Sequence, residues 1–268
     1  MGKKYEITKE TMSDVNGKTL YRIKALTDFG NVRKGDFGGF VENESNLSQE
    51  GYCWIYGNAI CCDNAIIYEN AILCENAYVY GNSMVHENAT IRGSAKVYGN
   101  TTIGGNTIIR GYSRILGSAK VYGNTTISGN TIIGDNSRIY GNAVIYGNSK
   151  ILGRSRIFGN AILENVESSD YARIYGDVNI SDNIDICDDA NIKNNKSFLY
   201  ISCAYGKITI FRTITNKIIV KNHLQKWVLE DFEKEVNTFI ETKPNAKYLG
   251  GLGLLSIIQL AKVYFYEK

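Results

Sequence analysis

Few side chains in this 268-residue sequence could carry catalytic chemistry. A general base at neutral pH is most often a histidine, and the chain has only two, His86 and His223. The pattern around His86 predicts an outward position in a regular repeat, and His223 lies outside the repeat in a polar segment. Two imidazoles cannot supply a metal site that needs three. We therefore predict no metal site and no catalytic residue at either histidine.

Carboxylates and thiols give equally weak signals. Glu164, Glu167 and Asp170 fall in one short segment and could serve acid–base chemistry or bind a hard cation, although a solvated corner loop explains them as well. Alternation predicts that Cys61 faces the core and Cys62 faces outward, and neither has a histidine neighbour in sequence. The glycine-rich turns lack the Gly-Lys-Ser/Thr sequence of a phosphate loop. No catalytic residue and no cofactor is predicted.

The element that positions these side chains is a repeat of six residues. From Ile55 to Leu163 an aliphatic residue or Cys61 recurs at every sixth position, which makes nineteen unbroken hexads. A small residue comes two positions earlier, so both side chains point inward if the hexad holds a short strand. Gly-Asn pairs such as Gly57-Asn58 then supply the corners, where positive φ is required. A helix would turn by about 600° per hexad and scatter the apolar positions.

This pattern resembles the hexapeptide repeat of left-handed parallel β-helices, in which three hexads form one triangular coil. After Leu163 the register slips by five residues, and it then resumes from Ile174 to Ile192. The resemblance therefore implies a prism of about 7–8 coils. We expect a β-dominated fold in three parts, which are an N-terminal β-rich cap (1–50), a parallel β-helix (51–196) and a small α+β domain (197–268).

The two ends depart from the hexad. An open β-helix end exposes unpaired backbone groups, so residues 1–50 are predicted to cap it. The C-terminal part is predicted to hold strands at about 198–202, 207–213 and 217–221, and helices at about 229–241 and 246–266 separated at Lys243-Pro244-Asn245.

Several segments outside the hexads are similar to hexapeptide-repeat proteins carried by bacteriophages and prophages. The similar segments are Leu20–Phe29, Lys34–Glu42, Asn46–Gly51, Ile208–Arg212 and Leu229–Lys234. The resemblance implies a setting, the cytoplasm of a bacterial host, rather than a mechanism. The lack of a long apolar run or of a signal core, together with six cysteines without paired spacing, agrees with that expectation and predicts no membrane association.

Two surfaces of the predicted prism are candidate partner-binding sites. An apolar and β-branched column is predicted at Ile72, Thr90, Ile108, Thr126, Val144 and Ile162. A basic girdle is predicted at Lys96, Arg114, Lys120, Arg138, Lys150 and Arg156. Between Ile91 and Asn160 there are nine basic residues and a single acidic one, Asp135. Such a girdle suits an acidic protein partner or a second subunit, with nucleic acid as the less favoured ligand.

A near-verbatim copy argues against a finely placed active site on the prism. The segment 93–115 recurs at 117–139, an offset of four hexads, so a coil of three hexads moves each copied side chain to another face. We predict a non-enzymatic binding or scaffold protein that associates with a host protein, or with itself as a homodimer or homotrimer. Inhibition of a host defence protein is one such role.

Two alternatives stay open at this point. One is an acyltransferase-like enzyme of the hexapeptide-repeat class with His86 as its base, and the other is a structural virion component. An enzyme should show a pocket lined by His86 or by the segment 164–171. A binder should show flat faces and no cleft.

Overall fold

The computed structural model describes residues 2–14, 16–181, 183–203, 206–222, 224–242 and 252–266. It confirms the predicted fold class, because parallel two-residue strands stack into a β-solenoid of about eight turns with three flat faces. An antiparallel sheet and two helices follow it. No helix among the described residues has the length and apolar character needed to span a bilayer.

Each face of the prism is one hydrogen-bonded sheet, and we name the faces by their strands. The apolar face consists of Trp54–Ile55, Ile72–Leu73, Thr90–Ile91, Ile108–Ile109, Thr126–Ile127, Val144–Tyr146, Ile162–Glu164 and Asn179–Ile180. The cation face consists of Ile66–Ile67, Met84–Val85, Thr102–Ile103, Lys120–Val121, Arg138–Ile139, Arg156–Ile157, Arg173–Ile174 and Asn191–Ile192. The long face consists of Tyr5–Ser13, Thr19–Ala25, Phe37–Val41, Ile60–Cys61, Tyr78–Val79, Lys96–Val97, Arg114–Ile115, Ile132–Ile133, Lys150–Ile151, Glu167–Ser168 and Asp185–Ile186.

The inward residues form a continuous core along the prism. Every aliphatic residue of the repeat, such as Ile103, Ile109 and Ile115 in one coil, is fully buried. The small inward residue before it is often Ser or Thr, and its hydroxyl donates to the carbonyl three residues earlier, as Thr107 does to Gly104 at 2.7 Å. This local bond satisfies a buried polar group within its own coil, and the hydroxyl groups of Thr107 and Thr125 also lie 3.1 Å apart on adjacent coils.

The corners place one residue of each hexad at positive φ, and acidic residues occupy several of these positions in place of glycine. Glu69 has a φ of 56° and its carboxylate accepts from the backbone N–H of Glu87, one coil further, at 2.7 Å. Asp135 does the same for Gly153 at 2.8 Å. The N–H groups of Glu87 and Gly153 have no backbone acceptor among the described residues, whereas the following corner residue donates to the next coil, as Asn88 does to Gly105 at 3.0 Å. The charge-assisted bond to a carboxylate satisfies the first of these amides and offsets the backbone strain.

The register slip after Leu163 is the loss of one residue. Lys150 pairs with Glu167 and Arg156 pairs with Arg173, so this coil is one residue shorter than the coils before it. Ser168 takes the buried inward position. The segment 164–171 is therefore a regular part of the prism with a shortened hexad, and not a loop that leaves it.

The three N-terminal strands pair antiparallel with one another and extend the sheet of the long face. They also cover part of the outer surface of that face, where Leu20 and Phe40 pack on Cys62. Phe40 and Val41 pair in parallel with Ile60 and Cys61, which continues the sheet into the prism. A short 3-10 helix at Glu44–Asn46 follows the last of these N-terminal strands.

The covering hairpin corrects one sequence-based prediction. Cys62 was expected to face outward into solvent, but it is fully buried with Leu20 and Phe40 packed around it. Its thiol donates to the Tyr78 hydroxyl at 3.4 Å, and that hydroxyl donates to Asp14.

The C-terminal sheet closes the other end of the prism. Its strands are Phe198–Cys203, Gly206–Arg212, Ile218–Lys221 and Lys226–Val228. Phe211 and Ile219 join the prism core, while Ile210 and Val220 face the helices Leu229–Thr242 and Leu252–Tyr266.

The strand Lys226–Val228 is missing from the sequence-based prediction. The predicted break at Lys243-Pro244-Asn245, the first turn of the predicted second helix and His223 all lie outside the described residues.

Candidate functional site

The cation face carries a row of four basic side chains, which we call the cation row. Lys120 lies opposite Arg138, Arg138 opposite Arg156, and Arg156 opposite Arg173 on adjacent strands. All four are exposed. Because parallel strands repeat at about 4.8 Å, the row spans roughly 14 Å along the prism axis. Arg154, at the neighbouring corner, is a fifth exposed cation close to the row.

Within the described part of the chain, no carboxylate forms an ion pair with any of these five side chains. The guanidinium group of Arg154 lies over the Tyr171 ring, 5.5 Å from its centroid. Arg138, Arg154 and Arg156 line one small depression of about 230 Å³ with Asn136. The row is therefore a concentrated positive surface whose cations form no ion pair with the described residues.

A ladder of aromatic rings runs beside the cation row. The centroids of Tyr122 and Tyr140 are 5.4 Å apart, those of Tyr140 and Phe158 are 4.8 Å apart, and those of Phe158 and Tyr175 are 4.7 Å apart. The ring planes differ by only 3–8°. The faces of the inner rings are covered by their neighbours, so the ladder presents ring edges and hydroxyl groups to solvent. Burial, with Tyr122 nearby, raises the pKa of Tyr140, while the adjacent arginines act against that shift.

The structure divides the predicted basic girdle between two faces. Lys120, Arg138 and Arg156 belong to the cation row. Lys96 and Arg114 lie opposite each other on the long face, and the next outward residue in that column is the apolar Ile132. Lys150 lies beyond that break and is neutralised by Glu167, whose Oε1 is 2.6 Å from its Nζ. The bond to Glu167 raises the pKa of Lys150.

Sequence reasoning missed two members of the candidate surface, Arg173 and Arg154. Every member of the row stands one residue before an inward aliphatic residue, and Arg173 stands in that position before Ile174. The repeat pattern could therefore have identified Arg173 as a member of the row. Arg154 takes the corner position where other hexads carry Asn, and no repeat signal marks it.

The predicted apolar column lies on one face. Its members pair in register from Ile72 to Ile162. Ile108 and Ile162 are exposed at 37% and 36%, and the others are half-buried. The N-terminal cap covers Trp54 at the start of this face, where Tyr5 and Phe29 pack edge-on against the indole. The uncovered column begins at Ile72.

His86 is built into the surface instead of lining a cleft. Its ring stacks on Tyr68 with centroids 5.0 Å apart, and its Nδ1 lies 3.8 Å from Glu69 Oε2. The ring also covers Gly104, where an added Cβ would lie 2.7 Å from the imidazole Cε1. His86 lines none of the five principal cavities of the described residues.

The largest of these cavities is a polar cleft of about 580 Å³ between the long face and the C-terminal sheet. Asn165 and Glu167 line it, so the segment 164–171 does border a cleft, as the enzymatic alternative requires. Two ion pairs occupy its wall, Lys150 with Glu167 and Lys221 with Asp185 at 2.9 Å. Burial raises the pKa of Asp185.

The three carboxylates predicted in this segment do not converge. Glu164 accepts from the Tyr146 hydroxyl at 3.2 Å, Glu167 pairs with Lys150, and Asp170 accepts from the Asp188 N–H at 3.0 Å. Each carboxylate is therefore bonded to a different residue of the prism. The arrangement offers no acid–base pair from these three side chains.

Two other groups bring cysteine and carboxylate atoms within 4.8 Å of one another, namely Glu42 with Cys62 and Asp63, and Asp170 with Cys187 and Asp188. In each group a lysine already contacts a carboxylate, since Lys18 pairs with Asp63 and Lys226 Nζ lies 2.6 Å from Asp188. Burial raises the pKa of the five described thiols, and that of Cys187 rises to about 11. These thiols are weak ligands and weak nucleophiles at neutral pH.

Comparison with known proteins gives a narrow match. No family model matches the chain. A segment of 49 residues, 18% of this chain, is 47% identical to the uncharacterized acetyltransferase YdcK of Escherichia coli strain K12. The match spans only 15% of that protein's length. Together with the solenoid geometry, it supports a hexapeptide-repeat β-helix.

Proposed function

We propose that this protein is a non-enzymatic binding protein that holds a protein partner on the faces of its prism. The cation row carries the proposal. Like charges directly opposite one another on neighbouring strands lower the stability of a sheet. Four such charges in register, none of them in an ion pair among the described residues, are a cost to folding that an anionic partner surface would remove.

The apolar face supports the same proposal through a different force. Its column from Ile72 to Ile162 leaves branched side chains partly in contact with water. Contiguous apolar surface of this kind is typical of association sites. We assign it to self-association as a homodimer or homotrimer, or to a further contact with the partner.

The setting comes from the resemblance described above. Proteins of the phage and prophage group act inside a bacterial cell, so the proposed partner is a host protein, such as a defence component, whose own contacts the prism would block. A structural virion component is the alternative within that setting, and it would favour a trimer.

An acyltransferase is the second candidate, because the matched segment resembles a protein named as an acetyltransferase. His86 would be the base of such an enzyme, and the polar cleft beside Glu167 would be a second place for a substrate. The geometry gives little support, since His86 stacks on Tyr68 and the carboxylates of the cleft are already paired with lysines.

One experiment separates the candidates. Tagged wild-type protein and an I108K/I162K variant are used to capture proteins from a bacterial lysate, alongside a K120Q/R138Q variant, and the mass of each free protein is measured in solution. We expect a captured protein that is identified by mass spectrometry and lost in at least one variant. Capture that is the same in all three proteins would contradict the use of the prism faces.

The same preparations are tested for acyl transfer by the release of coenzyme A thiol from acetyl-coenzyme A, with amine and hydroxyl acceptors. We expect no release above the uncatalysed rate. Turnover by the wild type that a His86→Ala variant abolishes would replace the binding proposal with the transferase.

A further inference from the structure

We infer that the cation row is the docking site for an extended acidic segment of a different protein, which lies along the prism axis with its carboxylates over Lys120, Arg138, Arg156 and Arg173. This inference rests on the proposed binding function and specifies the chemistry of the partner. Three observations favour this occupant over a second copy of the chain or a nucleic acid.

The first observation concerns the charges around the row. The outward strand positions of the cation face hold no acidic residue from Ile66 to Ile192. The corner carboxylates that border the row are those of Asp135, Asp170 and Asp177, and each accepts a hydrogen bond within the prism. Asp135 accepts from the Gly153 N–H at 2.8 Å, Asp170 from the Asp188 N–H at 3.0 Å and Asp177 from the Asn160 amide at 2.7 Å. None of the three forms an ion pair with a cation of the row or with Arg154. Five cations beside three carboxylates leave an excess of positive charge that an anionic partner would offset.

The second observation argues against a second copy as the source of that charge. The acidic residues of the N-terminal coils bind backbone amides of the next coil, as Glu69 does for Glu87 and Glu75 does for Gly93 at 2.8 Å. On the long face Glu167 and Asp185 are adjacent, but each is paired with a lysine. The strands of the prism therefore present no row of four carboxylates in register that would match the cation row in a symmetric dimer.

The third observation argues against nucleic acid. Proteins that bind single strands stack bases on exposed aromatic faces. In the ladder beside the row, the rings from Tyr122 to Tyr175 stack on one another and leave their edges outward. The hydroxyl groups of Tyr122, Tyr140 and Tyr175 can donate hydrogen bonds to carboxylates beside the cations. The ladder thus suits a ligand that accepts hydrogen bonds and has no need for a stacking platform.

The dimensions fit an extended peptide. Side chains on one side of a β-strand recur about every 6.8 Å, so acidic residues at alternate positions over five residues place three carboxylates along roughly 14 Å. The cation row has the same length, because its four members lie on successive rungs. The arginine side chains are long enough to absorb the difference between the two spacings.

The test uses the full-length protein and a fluorescein-labelled peptide of five Glu-Thr repeats, with five Gln-Thr repeats as the uncharged control. Binding is followed by fluorescence anisotropy at low and high salt. The variant K120Q/R138Q removes two members of the row. The variant K96Q/R114Q is its matched control, because the internal duplication places the same two residue types on the long face.

We expect the Glu-Thr peptide to bind and the Gln-Thr peptide not to bind. K120Q/R138Q should weaken binding about tenfold or more, and K96Q/R114Q should change it less than about twofold, with affinity falling as salt rises. Equal losses in both variants would overturn the inference in favour of diffuse attraction. Tighter binding of a 20-nucleotide oligo-dT that is lost in K120Q/R138Q would overturn it in favour of nucleic acid.

Failure of this inference is distinguishable from failure of the binding function. If the Glu-Thr peptide does not bind at concentrations up to about 1 mM, the inference that the cation row binds an acidic segment is wrong. A partner captured by the wild type and lost only in I108K/I162K would then keep the binding function and move the site to the apolar face.

Discussion

Substitution of Arg138 by glutamine should stabilise the free protein, although it removes a native side chain from a regular position. Arg138 lies between Lys120 and Arg156 on adjacent strands and forms no ion pair among the described residues. Two unit charges about 5 Å apart in water repel by about 0.8 kcal/mol, and screening at 0.15 M salt roughly halves this. Relief from both neighbours therefore raises the free energy of unfolding by about 0.8 kcal/mol at 0.15 M and about 1.4 kcal/mol at 0.01 M. Glutamine keeps most of the aliphatic stem, so little packing is lost.

Lys150→Gln is the matched control, because it removes a cation that has a counter-charge. Lys150 Nζ is 2.6 Å from Glu167 Oε1, and both side chains are about half exposed. An exposed pair of this kind contributes about 0.2–1 kcal/mol. Its loss should lower the free energy of unfolding, so the two charge-removing variants are expected to change stability in opposite directions.

The assay is urea unfolding followed by circular dichroism at three salt concentrations, since urea leaves the ionic strength unchanged. Added salt should stabilise the wild type more than Arg138→Gln, and the two stabilities should converge near 1 M. If Arg138→Gln lowers stability at low salt, or if its effect does not depend on salt, then the cation row is not a source of repulsion that an anionic partner would relieve.

Three further outcomes are expected. Gly99→Ala should lower the free energy of unfolding in urea by about 3 kcal/mol, and Gly57→Ala should lower it by about 1 kcal/mol. An added Cβ at Gly99 would lie 2.5 Å from the Gly117 carbonyl oxygen, whereas at Gly57 the nearest atom is 3.7 Å away. Equal losses in the two variants would contradict the close approach of the coils at Gly99. Glu69→Ala should cost about 1 kcal/mol, since the corner amide of the next coil loses its acceptor, and an unchanged midpoint would show that water replaces it. Alkylation of Cys187 in the native protein should be slow at neutral pH and should increase with pH, because burial leaves the thiol 2% exposed and raises its pKa to about 11. Alkylation at pH 7 as fast as in the urea-unfolded protein, measured by peptide mass spectrometry, would contradict this.

The prism was predictable because its pattern is local. A strict period of six fixes which side chains share the interior, and residues such as Ile109 and Ile127 are fully buried as that period requires. The coil of three hexads likewise predicts which outward residues share a face, which is why Lys120, Arg138 and Arg156 fall in one row.

The parts that could not be predicted depend on contacts between distant segments. Cys62 has the outward phase of the repeat, yet the N-terminal hairpin packs Leu20 over it. In the sequence, the acidic residues at the corners look like a patch of surface charge. In the structure, Glu69 and Asp135 accept hydrogen bonds from backbone N–H groups of the next coil.

The single missing residue after Leu163 had the largest effect on the candidate site. It places Glu167 beside Lys150 and Arg173 beside Arg156. The shortened coil thus neutralises Lys150 on the long face and extends the cation row. The sequence pattern shows the slip without showing which residues it brings together.

The mismatch between a duplication of four hexads and a coil of three has a consequence for how such surfaces arise. The segment 93–115 places Lys96 and Arg114 on the long face, and their copies Lys120 and Arg138 lie on the cation face. Insertion of three hexads would lengthen every column by one rung, while insertion of four turns the copied columns by a third of a revolution. A chain of this kind can therefore move a whole recognition surface around its axis by a change in hexad number, with the same residues in its core.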